Sequence, residues 1–114
     1  MCWQEMAAAE DAAESVQTGI MQVQQSIEKL EEQLEKLSRD IEAETLEWKA
    51  ANTPEVRHFL ERRVEVKEQE KAQLLQQKAQ LLQQKAQTEA HLARMREMEL
   101  QHQLNSTHGV YQAH

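Results

Sequence analysis

Residues 71–87 read Lys-Ala-Gln followed by Leu-Leu-Gln-Gln-Lys-Ala-Gln twice in succession. An apolar repeat of seven residues keeps one face of a helix aligned with a neighbouring helix over many turns. It therefore commits a chain to winding around partner helices. The first half carries the same signature in a cleaner form. Val16, Ile20, Val23, Ile27, Leu30, Leu34, Leu37 and Ile41 are spaced alternately by four and three, which is the seam of a coiled coil. Continued forward, that register meets Glu44, Trp48 and Ala51, where the seam weakens and Trp48 is placed to close it. Continued backward, it meets Ala13, Ala9, Met6 and Cys2, smaller side chains that make a thin extension. The first fifteen or so residues are therefore expected to fray, and Gly19 marks a soft spot, since glycine costs about 1 kcal/mol against alanine inside a helix.

The strongest punctuation in the chain is Asn52-Thr53-Pro54-Glu55. Threonine accepts hydrogen bonds from the exposed amides of a helix start. Proline suits the first helical position, where its missing N–H leaves no gap, and a carboxylate favours the positive end of the helix dipole. The residue before proline also resists helical geometry. These residues predict a helix stop followed at once by a helix start. Three segments result: a first coiled-coil helix over 1–52, a second over 53–104, and an aperiodic tail over 105–114.

The second helix has a broader stripe. At 100° per residue, Leu74, Leu81 and Leu92 lie along one line, and Leu75, Leu82 and Ala93 along another about 90° away. Lys71, Lys78 and Lys85 fall between the two. Two leucine rows flanking a lysine row suit a helix with two neighbours, the lysine stems covering apolar surface while their heads reach acids. A single wide face against one partner is the competing reading. Near the corner, Phe59 and Leu60 begin this helix's apolar face, and Met95 lies near its far end.

Both helices are about 50 residues, or roughly 75 Å at 1.5 Å per residue. Equal lengths and a short corner predict an all-α fold: a long antiparallel helical hairpin. Folding back at Thr53 would bring Leu30 to Leu75, Ile27 to Lys78, and Trp48 to Phe59. A lone pair of helices buries one thin seam, so oligomerisation into a multi-helix bundle is expected to add layers. A parallel dimer kinked at Pro54 is the alternative architecture.

Composition agrees with a rod more than with a thick-cored globule. The 114 residues hold two Gly, one Pro and 39% hydrophobic side chains, below the globular average. Net charge is −7, which disfavours nucleic acid and anionic membranes as partners. The charge is uneven. Residues 1–52 hold twelve acids and four bases, a balance of −8, while 53–114 hold eight acids and nine bases, a balance of +1. Segments that pair with one another show such asymmetry, although drift in surface charge produces it too.

The remaining signals are weak. Cys2 is the single cysteine, so no internal disulfide forms, and a reducing, intracellular (by default cytoplasmic) setting is expected. Acids near the N-terminus argue against a signal peptide, and no apolar run reaches the roughly 18 residues of a membrane span. The sequon Asn105-Ser106-Thr107 then reads as coincidence. His91, His102, His108 and His114 lack the three- or four-residue spacing of helical metal ligands. Glu99 and His102 have it, but as a lone pair. Arg57, Arg62 and Arg63 are diluted by Glu55, Glu61 and Glu65, unlike the sustained basic face of a nucleic-acid helix. No nucleophile motif, phosphate loop or cofactor motif is present, so the expectation is a protein without catalytic activity, cofactor or metal.

Partner helices are therefore the expected ligands, whether from a second copy or from another coiled-coil subunit. The expected roles are a scaffold or adaptor, or a small regulator that sequesters one helical partner.

Overall fold

In a computed structural model, the backbone is described for residues 2–112 and side chains for 11–105. Among the described residues the backbone is 97% helical. Two helices account for this: α1 (Cys2–Ala50) and α2 (Pro54–Gln112). They form the antiparallel hairpin that the matched helix lengths imply.

The corner is built as the sequence predicts. The Ala51 amide donates to the Trp48 carbonyl at 3.3 Å, tightening the last turn of α1. Thr53 caps α2 with both of its oxygens. Its hydroxyl accepts from the Val56 amide at 3.3 Å, and its carbonyl accepts from the Arg57 amide at 3.1 Å. Pro54 takes the first helical position and Glu55 lies in the first turn.

One expectation about helix ends needs correction. The helix α2 does not stop at Leu104 but continues through Gln112, over residues expected to form an irregular tail. Extending an existing helix by one residue is far easier than nucleating one, and no proline interrupts this stretch. At the other end, α1 runs through the soft spot at Gly19 as one helix. Beside it, the Thr18 hydroxyl donates to the Glu14 carbonyl at 2.9 Å, a bond made within a continuing helix. The side chains of Cys2, Met6 and Ala9, the backward extension of the seam, lie outside the described residues.

The hairpin divides into two compact units. One holds the corner and both adjoining arms, Gln25–Leu82; the other holds the far segments, Met1–Gln24 and Gln83–His114. In the corner unit the core sits in one line along α1. Ile27, Leu34 and Leu37 are buried, Ile27 almost completely, and Leu30, Ile41 and Trp48 are half-buried along the same line. From α2, Leu60 is buried and Val64, Leu74 and Leu81 are half-buried. In the far unit, Leu92 is buried, and Val16, Ile20, Val23 and Met95 are half-buried.

Candidate interaction seam

The α1 seam keeps the register read from sequence, from Val16 to Ile41 and onward to Ala51. The seam of α2 is different from the one expected. Its less exposed positions run Leu60, Val64, Lys67, Lys71, Leu74, Lys78 and Leu81 in the corner unit, and Lys85, Thr88, Leu92, Met95 and Glu99 in the far unit. Each series steps by four and three. Four lysines thus occupy seam positions of a coiled coil, where apolar side chains are the rule.

Three of the four are accommodated because their heads find oxygen on α1. Lys67 Nζ lies 2.6 Å from Glu44 Oε1, and Lys78 Nζ lies 3.5 Å from Glu31 Oε1. In the far unit, Lys85 donates to Gln24 Oε1 at 2.7 Å and also lies 3.7 Å from Glu89 on its own helix. The methylene stems lie along the apolar seam while the charges leave it sideways. This is the division of labour the lysine row suggests in the sequence. It also gives a physical basis for the opposite charge balance of the two halves.

Lys78 pairs with Glu31 rather than lying against Ile27. Ala51 to Thr53 are non-helical, and Leu60, not Phe59, starts the inner face of α2. Phe59 is 60% exposed and does not join the buried core at the corner. The Phe59 ring instead carries the Arg63 guanidinium 5.7 Å from its centroid.

Glu44 is the most unusual residue in the seam. It occupies a core position and is buried to 7% exposure, the one charged residue in that class among the described residues. Its Oε1 receives both Lys67 and, at 2.9 Å, Arg63 Nη2. Its Oε2 is buried without a hydrogen-bond partner. The sequence marks Glu44 as a weakening of the seam; the structure makes it a polar layer clamped by two cations. The signal that identifies its partners is the four-three series on α2, which leads from Leu60 and Val64 to Lys67.

The two leucine rows of α2 have separate fates. Leu74 and Leu81 face α1, whereas Leu75 and Leu82 are 48% and 46% exposed. The single wide face is thereby excluded within the hairpin, and Leu75 and Leu82 lie outside the seam to which the sequence reading assigned them. Their periodic position leaves a second stripe on α2.

A shallow groove of about 360 Å³ lies on the corner unit. Gln33, Lys36, Leu37, Asp40, Lys67, Glu70 and Leu74 line it. Charges of both signs face it, and it gathers no nucleophile with a base. Among the described residues no cluster of three His, Cys, Asp or Glu could hold a metal ion, and no helix is long and apolar enough to cross a membrane. No family model, curated protein or solved structure matches the chain.

Proposed function

We infer that this chain is a non-enzymatic, intracellular coiled-coil scaffold or adaptor, which assembles proteins by offering helix faces to other helices. The observation that supports this most directly is the outer Leu75–Leu82 row, about half exposed after the hairpin has closed. A hairpin that served only to fold on itself would have no use for a second apolar row in heptad spacing. Oligomerisation into a multi-helix bundle belongs to the same reading, since it adds the layers that one thin seam lacks.

The test is molar mass against concentration, followed by pull-down of candidate coiled-coil subunits. An oligomer, or a defined complex with one helical subunit, supports the scaffold. A chain that remains a monomer and engages no helix refutes it. The alternative reading is a small regulator that sequesters a single helical partner. The lysine-rich inner seam favours that alternative, because a partner helix with apolar residues at those positions would compete with α2 for α1. A regulator is a monomer alone and gains thermal stability with one stoichiometric partner.

A further inference from the structure

We propose that the outer face of α2 between Ala72 and Leu82 is a self-association surface, on which a second copy of this chain docks antiparallel. The inference rests on the scaffold reading and names the partner and the residues for it.

The face is defined by spacing. Ala72, Leu75, Ala79 and Leu82 step by three, four and three, and all four are exposed. They form a second stripe, turned about 100° from the inner seam. A stripe in this spacing is the shape that receives another helix, and the alanines let the two backbones approach closely.

Charge restricts the occupant. From Ala72 to Leu82 every exposed side chain is Ala, Leu or Gln. The one charge in the stretch, Lys78, is half-buried and turned to Glu31. A charged helix docked here would lose water around its ions and find no counter-ion in return. The outer face of α1 is such a helix, with Glu28, Glu32, Glu35, Arg39 and Asp40 exposed, so it cannot cover this stripe. The stripe of a second copy carries no charge and meets the requirement.

The pattern of sizes gives the orientation. A two-fold axis at Gln77 pairs residues whose numbers sum to 154, so Leu75 of one copy meets Ala79 of the other, and Leu82 meets Ala72. Every large side chain then faces a small one, four times over. A parallel, in-register pair would set Leu on Leu and Ala on Ala, leaving alternate crowding and gaps. Alternation of Ala and Leu is therefore self-complementary only in the antiparallel arrangement, as an isologous interface requires. The stripe is about 15 Å long, which is short for a standard interface, so dissociation in the micromolar range or weaker is expected.

Sedimentation equilibrium of the full chain from about 10 µM to 1 mM tests the proposal. Leu75→Glu combined with Leu82→Glu is expected to raise the dimer dissociation constant at least tenfold with helicity unchanged. Gln73→Glu combined with Gln80→Glu, which adds the same charge off the stripe, is expected to leave it within twofold. Oxidative cross-linking in a Cys2→Ser background reads the orientation. A mixture of Leu75→Cys and Ala79→Cys chains should give the mixed disulfide in preference to either homodimer. Self-association that survives the double Leu→Glu change overturns this surface but leaves the scaffold reading intact. Preferential 75-to-75 cross-links overturn the antiparallel arrangement. A chain that stays monomeric across the range overturns the inference, and the scaffold then stands or falls on the pull-down.

Discussion

Glu44 and Lys67 sit in the same seam, yet removing their charges should have opposite consequences for stability. Glu44 is buried, holds Lys67 and Arg63 through one oxygen, and leaves the other without a partner. Glu44→Leu removes a buried carboxylate whose unsatisfied oxygen alone costs about 1–3 kcal/mol. It also places a side chain in the seam worth about 1.5–3 kcal/mol when fully buried. Against this stands the loss of the hydrogen bond and ion pair with Lys67, about 1.5–3 kcal/mol for a charged group. Arg63 is half-exposed, so its share is about 0.5 kcal/mol or less. The released cations are not stranded, because the Lys67 stem can extend its head to water. The balance for Glu44→Leu is neutral to stabilising by about 1–2 kcal/mol, as for other buried ion pairs replaced by apolar groups. Lys67→Met keeps the stem but leaves Glu44 buried with only the half-exposed Arg63, and should cost about 2 kcal/mol. Urea titrations followed by helical circular dichroism, at a concentration where each variant is monomeric, measure both. The double variant completes a cycle with an expected coupling of about 1–2 kcal/mol. A Glu44→Leu chain destabilised by more than about 2 kcal/mol would refute the reasoning, since it would mean that the polar layer is a net source of stability.

Further outcomes follow from single positions. Ile27 is 1% exposed, so Ile27→Ala should cost about 2–5 kcal/mol in the same titration, whereas the exposed Glu32→Ala should stay within about 0.5 kcal/mol; equal losses would mean the register is wrong. A Cβ added at Gly19 meets nothing within 4 Å beyond its own local helix backbone, so Gly19→Ala should stabilise by up to about 1 kcal/mol, read as a higher urea midpoint at unchanged slope. Thr53→Ala removes the cap on the Val56 amide and should cost about 1 kcal/mol, with Thr53→Ser restoring most of it.

Much of the hairpin is legible in the amino-acid sequence alone. The α1 seam from Val16 to Ile41 is an unbroken four-three series, and such a period permits one buried face whatever the partner. The corner is legible because Thr53, Pro54 and Glu55 act locally, through amides and dipoles within one turn. The end of α2 is not. Composition after Leu104 lacks a period, but helix propagation depends on the preceding helix as well as on local preference.

The inner face of α2 lies beyond sequence reasoning for a different reason. Two leucine rows and a lysine row offer several faces of similar apolar content, and periodicity alone cannot rank them. The choice requires α1 as a neighbour. With the corner spanning Ala51 to Thr53, Leu60 enters the seam and Phe59 leaves it. Lys67, Lys78 and Lys85 then meet Glu44, Glu31 and Gln24, and the second leucine row turns outward. Period and short-range chemistry are enough to set two helices, their corner, and the seam of the first. Which face of the second helix is covered, and where Glu44 finds its cations, depends instead on the register between elements more than twenty residues apart in the chain, and that register exists only once the two helices have packed.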